Sequence, residues 1–386
     1  MPVSSLLSFG RPAGRPALLR SLNSLNALTL VQHEEPRTAA QIARAIGVSR
    51  TAVEAILTDL IDAGWLTRVS ADASASPGRP AARYGLGEDV GCVAALEYDS
   101  ARVGVTVADL KGRPLAATQQ VLDENLPGDD RVRRGVDLLV ATIAQAGVEA
   151  SSVRCVSVAS PGAISKGRVI HFGGHGMPGW IGEDLGRKVR DALHLPVVVE
   201  GDSALAALAE RRVGAGRGAE SFVYIYSGRR TGAAIISDGR LLRGARGATG
   251  LVGELPELRW YELEAATYGE TAGDDTASIL GLGISAMVLA VDPEVVLIGG
   301  PNLGRVAAII DRVRDDVARR CPVPPPVRLG QFGDDAVMRG TVWLALDAVS
   351  TALAQAVSDT GILPSPADVS QLIGEGDPSR TVPQRP

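Results

Sequence analysis

Cysteine is scarce in this chain of 386 residues: there are only three, Cys92, Cys155 and Cys321, and they lie far apart. An odd, scattered set argues against a disulfide framework and against a structural metal cluster, which needs grouped ligands. It fits a reducing, cytoplasmic home. Long apolar runs are missing too: nothing approaches the roughly 20 residues of a membrane span, so no membrane contact is expected. The N-terminus lacks the succession of charge, apolar stretch and small-residue cleavage site that marks a secretory signal. No self-similarity of solenoid period is evident. Lysine is absent from residues 1–85, where nine Arg face six Asp or Glu and leave +3; the rest carries −8, for a total of −5. A mildly basic head on an acidic body suits a nucleic-acid reader whose body has another task. The length implies two or three domains, and 45% apolar with 22% charged residues is ordinary for a globular protein.

Residues 37–68 hold the most informative pattern. Ile42 and Ile46 fall on one face of a short helix, and Gly47 can take the left-handed turn that a Cβ resists. Val48 fills the turn, and Ser49 is a good N-cap for a second helix. That helix buries Val53, Ile56, Leu57, Leu60 and Ile61 at helical spacing. Arg50, Thr51, Glu54 and Ala55 are left outward near its start, where recognition helices meet base edges in the DNA major groove. A helical hairpin with an apolar seam is the plainer alternative, but the glycine turn, the Ser cap and the outward Arg coincide. Residues 65–69 and 83–86 then read as two strands of a wing with a loose tip at 70–80. Arg79 and Arg83 would bring guanidinium groups to a phosphate backbone or minor groove. A solvated linker is the plainer reading of that tip. Ahead of the pair, residues 17–32 read as a helix through Leu18, Leu22, Leu25, Leu28 and Val31. Residues 1–14 and 364–386, rich in Pro, Gly, Ser and charge, are expected to be disordered tails.

Beyond residue 90 strand-like and helix-like segments alternate, and they do so twice. The first series has strands at 92–97, 102–108, 114–121, 153–159 and 196–200, with helices at 131–145 and 202–213. The second has strands at 221–226, 231–237 and 240–242, then helices, a strand at 295–300 ending in a Gly pair, and a helix at 303–321. Strands separated by helices imply sheets with helices packed on them. The close spacing of the first three strands in each series suggests antiparallel meanders. Two such halves imply two lobes with a ligand cleft between them.

Several stretches carry a family resemblance: Ser160-Pro161-Gly162-Ala163-Ile164, Pro178-Gly179-Trp180, Glu200-Gly201-Asp202-Ser203-Ala204-Leu205, Asp238-Gly239-Arg240-Leu241-Leu242-Arg243-Gly244 and Asp292-Pro293-Glu294-Val295-Val296-Leu297-Ile298-Gly299-Gly300. Weak singly, in this order and spacing they resemble the ROK family, which holds repressors, sugar kinases and uncharacterised open reading frames on the actin-like sugar-kinase fold. The likeness covers roughly residues 15–355. The repressor branch, with the xylose and N-acetylglucosamine repressors, fuses a winged helix-turn-helix to that body, and residues 76–86 would be the junction here.

The resemblance also marks departures. The family's first phosphate cradle is an acidic residue followed by Gly-Gly-Thr; here it is Glu97-Tyr98-Asp99-Ser100-Ala101, with bulk and a carboxylate where phosphate would lie. The second, Ser227-Gly228-Arg229-Arg230-Thr231-Gly232, lacks the glycine-dense backbone that lets N–H groups approach a nucleotide. Asp202 resembles the general base, but the Asn usual before it is Gly201, and Asp202 can equally cap the next helix. In Gly250-Leu251-Val252-Gly253-Glu254, Leu251 replaces a Glu and Glu254 the His that helps hold sugar and metal. The Cys-rich zinc loop that should follow is Leu255-Pro256-Glu257-Leu258-Arg259-Trp260-Tyr261-Glu262. His171 and His175 lie near the expected cleft mouth, without the family's sugar-binding Asn, and Trp180 reads as a core anchor.

The expectation is an α/β protein: an N-terminal winged helix-turn-helix (15–86) plus a two-lobed actin-like (sugar kinase / RNase H-like) body, with lobes at 87–203 and 204–363 and the last helix packing back on the first lobe. Its expected function is transcriptional repression, with no enzymatic activity, cofactor or metal. A homodimer or homotetramer would read a palindromic operator in double-stranded DNA through Ser49, Arg50, Thr51, Glu54, Arg79 and Arg83. Gly162, His175, Gly201, Asp202 and Glu254 are the candidate positions for a small-molecule effector, a sugar or a derivative. An active sugar kinase with an appended DNA-binding head, and a regulator blind to any ligand, are the alternatives.

Overall fold

The computed structural model describes residues 16–33, 36–69, 82–263 and 274–373. The expected tail at 1–14 and the wing tip with Arg79 therefore lie outside the described residues. The head consists of α1 (Pro16–His33), α2 (Ala39–Ile46), α3 (Arg50–Asp62) and a small sheet in which β3 (Arg83–Leu86) lies between β1 (Arg37–Thr38) and β2 (Leu66–Val69). A capping box starts α2: Gln41 N–H donates to Thr38 Oγ1 at 3.3 Å, and Thr38 N–H donates to Gln41 Oε1 at 2.9 Å. Gly47 takes φ 73°, and Ser49 Oγ accepts from Ala52 N–H at 3.2 Å to begin α3. Val53, Ile56, Leu57 and Leu60 of α3 are buried in one core with Ile42 and with Leu25, Leu28 and Val31 of α1. This is the expected winged helix-turn-helix, with β1 as an added strand.

Two five-stranded sheets form the body. The first runs, in space, Val197–Gly201, Val153–Ser160, Cys92–Tyr98, Arg102–Asp109, Pro114–Val121; the second runs Val327–Leu329, Val295–Gly299, Phe222–Ser227, Thr231–Ser237, Arg240–Leu241. In each, the first three strands in sequence make an antiparallel meander and the next two add in parallel. The same topology thus occurs twice, as the repeated pattern implied. Strands Val153–Ser160 and Val295–Gly299 are buried at every position; the second is an unbroken apolar run, while the first also buries Arg154, Ser157 and Ser160.

Two expectations need correction. The 25-residue helix Ala336–Thr360 is long and apolar enough to cross a membrane by length and composition. Its apolarity has a packing role: it lies against helix Asp202–Val213 and the strands Cys92–Tyr98 and Val153–Ser160. A Cβ at Gly340 would stand 1.8 Å from the Leu205 carbonyl oxygen, so glycine permits this close crossing. The expected C-terminal tail also has structure as far as residue 373: a 3₁₀ turn Pro366–Asp368, then helix Val369–Ile373 with Val369 fully buried. Its Pro- and Ser-bearing composition hid a docking segment. Residues 374–386 lie outside the described residues.

That segment holds the head. Trp65, only 1% exposed, donates its indole N–H to the Pro364 carbonyl at 2.8 Å, and Ser21 Oγ donates to the Gly361 carbonyl at 2.6 Å. Gln32 Nε2 reaches the Leu110 carbonyl at 2.7 Å, and the apolar core of the head continues into that of the first lobe.

Candidate functional site

The first functional surface is the outer face of α3. Ser49, Arg50, Thr51 and Glu54 share its N-terminal turn and are all exposed. The Arg50 side chain is 86% exposed, with Nε 3.0 Å from Glu54 Oε1 one turn on. Such an exposed pair contributes little to stability. It steers the arginine while its two terminal nitrogens still face solvent, the fork that can engage a guanine edge. The Ser49 hydroxyl is committed to its capping bond. Arg83 is exposed on β3 and donates to the Pro36 carbonyl at 3.2 Å. Arg44 on α2 and Arg68 on β2 are further exposed cations that the sequence pattern did not single out.

The second is a cavity of about 480 Å³ between the two sheets, and Gly162, His175, Gly201, Asp202 and Glu254 all line it. The two glycines have a structural reason to be there. Gly162 has φ 93° and a Cβ on it would meet the His171 carbonyl oxygen at 2.1 Å; a Cβ on Gly201 would meet the Gly162 carbonyl oxygen at 2.8 Å. Gly201 is also the N-cap residue of helix Asp202–Val213, so Asp202 does not cap it. Instead Asp202 Oδ1 accepts from Ser203 N–H at 2.6 Å and Oγ at 3.0 Å. Desolvation in the cleft pushes the Asp202 carboxyl up to about 6, against the Ser203 donors, with Asp99 adding to the rise and Arg230 opposing it.

Both phosphate-cradle positions are filled by ion pairs. Arg102 grips Asp334 with two bonds, 2.7 and 3.1 Å, and reaches Glu97 at 3.4 Å and Asp99 at 3.7 Å. In the second hairpin Arg229 pairs with Glu124 of the opposite lobe, and Arg230 lies 2.9 Å from Glu254. Arg243 pairs with Glu200 at 2.6 Å, and His171 Nε2 sits 3.1 Å from Glu254. Burial alone would raise the Glu254 carboxyl, but His171 and Arg230 outweigh it and hold it low. Four of these contacts, Arg102–Asp334, Arg229–Glu124, Arg243–Glu200 and His171–Glu254, tie one lobe to the other. Sequence reasoning had not paired any of them.

Glu97 is 7% exposed, and burial, aided by Asp99 and Asp334, lifts its carboxyl from 4.5 to about 7 despite Arg102. Between those values the folded chain holds a proton that the unfolded chain has released, so this group lowers stability as pH rises. Thermal unfolding midpoints should therefore carry a component that falls from pH 4.5 to about 7 and disappears in Glu97→Gln. An unchanged pH profile in that variant would contradict the assignment.

Where the resemblance implies a zinc loop, the chain has an apolar plug. Leu258, Trp260 and Leu263 are buried against Ala277, Leu280, Ile284 and Met287 of helix Asp274–Val291. Gly283 makes room for the Trp260 ring, since a Cβ there would fall 2.3 Å from the indole nitrogen. Cys92 and Cys155 are buried in other clusters and Cys321 is a single buried thiol within this one, and among the described residues no group of His, Cys, Asp and Glu has metal-holding geometry. The donor set does not fit zinc. Trp180 is 1% exposed, donates to Ser160 Oγ at 3.0 Å and packs edge-on against Tyr98, as a core anchor.

Comparison with known proteins agrees with both halves. Residues 100–257 match the ROK family model and residues 21–75 the MarR family model. The chain is 32% identical over 196 residues to the bifunctional enzyme NanE/NanK of Brucella suis biovar 1, an alignment covering 42% of this chain and 37% of that protein. It therefore spans well under half of that relative's length. It is 21% identical over 240 residues to the xylose repressor of Caldicellulosiruptor bescii, covering 62% of this chain and 60% of the repressor. A crystal structure of a ROK family transcriptional regulator, a homolog of the E. coli MLC protein, superposes with a TM-score of 0.64 at 18% identity, covering 93% of this chain and all of that one. The chain thus carries a MarR-like winged helix-turn-helix, matched at residues 21–75, ahead of a ROK family domain, matched at residues 100–257.

Proposed function

We propose that this protein is a transcriptional repressor that binds a palindromic DNA operator as a dimer or higher oligomer, with a body that no longer transfers phosphate and instead senses a small effector such as a sugar or a derivative. The observation that carries this reading is the coupling of an outward, arginine-bearing α3 to a kinase-like cleft whose first phosphate cradle is occupied by Arg102 and Asp334. The xylose repressor among its relatives supports it. Effector control requires a ligand with different affinities for the DNA-competent and incompetent states. The interlobe ion pairs offer a means, because a ligand that displaces one of them changes how the lobes meet. Selection of genomic fragments by the purified chain at low ionic strength tests the reading; failure to retain any fragment would refute it. On the wing, Arg79→Ala should weaken binding uniformly across sequences and reduce the salt slope by about 1, read from titrations at several salt concentrations.

One observation favours a second reading, an active sugar kinase with a DNA-binding head. Asp202, raised to about 6 inside the cleft, has the profile of a proton acceptor, and NanE/NanK is a relative. Coupled turnover assays over a hexose panel decide between the two. No ATP consumption is expected; magnesium-dependent turnover abolished by Asp202→Asn would establish the kinase.

A further inference from the structure

The chain passes from the wing to the body through the short connection at residues 87–91. Where the body begins, strand Cys92–Tyr98 runs beside Val153–Ser160 with Cys92 opposite Val153 and Val93 opposite Cys155, so Arg154 is an extra residue in the ladder. Bulges re-aim side chains, and this one turns Arg154 into the connection. Arg154 is 6% exposed. Its Nε donates to the Val90 carbonyl at 2.9 Å, Nη2 to the Asp89 carbonyl at 3.3 Å and Nη1 to the Ser151 carbonyl at 3.2 Å. Gly91 is shaped around it: φ is 95°, and a Cβ would lie 2.3 Å from Arg154 Nε. On the head side, Gly87 N–H donates to the Trp65 carbonyl at 2.9 Å, while the Trp65 indole holds the Pro364 carbonyl. A tether built to swing would need none of this. Burying a guanidinium is costly, and its rigid fork of donors fixes direction as well as distance.

We infer that Arg154 is a positioning residue for operator specificity: by locking the connection at residues 87–91 it sets the angle of each winged helix, and so the one half-site spacing that paired chains accept. The inference rests on the regulator reading above. Two rigidly held heads reach half-sites at a fixed separation, whereas loosened heads reach several.

The test uses the full chain and a set of DNA duplexes with identical half-sites and a spacer changed one base pair at a time. The native protein should prefer one spacing by roughly tenfold or more over its neighbours. Arg154→Met keeps the side-chain length without donors and should reduce that preference to about twofold or less, while affinity for an isolated half-site stays unchanged. Arg154→Lys, which retains a cationic donor, should restore part of the preference. A merely structural defect would weaken all spacings alike, so equal losses, or a native spacing preference in Arg154→Met, would overturn the inference. If Arg154→Met does not fold, Arg154→Lys carries the test: its single ammonium cannot hold the Val90, Asp89 and Ser151 carbonyls together, so a spacing preference weaker than the native one supports the inference and a native one overturns it. Native protein that binds no DNA would overturn the regulator reading, and this inference with it.

Discussion

Replacing Arg50 by alanine is expected to weaken operator binding by about 1–3 kcal/mol and to relax base preference at one position in each half-site. The expectation follows from geometry. Arg50 stands at the start of α3 with an almost wholly exposed side chain, and Glu54 engages its Nε while the terminal fork faces outward. A bidentate contact to a guanine edge needs that fork, so its loss removes discrimination along with affinity. Titration against all single-base variants of a selected site would resolve the two. Wing arginines, in contrast, should change affinity and salt dependence with base preference intact. Curves for Arg50→Ala that overlay the native ones would take α3 out of the interface.

The second large effect concerns a carboxylate with no exposure at all. Glu210 Oε2 accepts from Ala215 N–H at 2.7 Å, and Oε1 accepts from Gln331 and Phe332 N–H at 2.7 and 3.0 Å. Glu210→Ala leaves three N–H groups without their acceptor; Phe332 is buried, while Ala215 and Gln331 are exposed residues whose N–H groups can turn to water, so a total of about 3 kcal/mol is expected. For a chain of this size that is a fall of roughly 4 °C in the thermal midpoint. Glu210→Gln keeps one acceptor oxygen and should fall between. The effect also reaches the cleft, because the loop at 330–332 leads directly to Asp334, the partner of Arg102. A midpoint lowered by less than about 2 °C would mean that other groups satisfy these donors.

Much of this architecture could be read in the residues because it is encoded locally. Gly47, Ser49 and the spacing of Val53, Ile56, Leu57 and Leu60 define the head within some fifteen positions, and the close-set strands of each lobe defined the meanders. What escaped depends on distant pairing. Arg102 and Asp334 are 232 positions apart, and nothing near either one announces the other. Arg154 looked like an ordinary strand residue because a bulge is a property of two strands in register, which periodicity in one cannot reveal. The structured segment at 364–373 was misjudged from composition, since its order comes from contacts with the head. Asp202 was offered a capping role that falls to Gly201, because the helix begins at Asp202 itself, one residue earlier than a capping role for the carboxylate requires.

The seam between head and body has an implication for how such proteins diversify. From the head, Trp65, Ser21 and Gln32 all donate to main-chain oxygens, those of Pro364, Gly361 and Leu110. Every amino acid supplies such an oxygen, so these bonds need no particular side chain on the body's side, although Gly361 (φ 71°) and the buried Leu110 are fixed by their own conformation and packing. A foreign winged helix bearing an indole, a hydroxyl and an amide at matching places should plug in without redesign of its host. Chimeras of this kind would exchange the winged helix while the two-lobed body stays as it was.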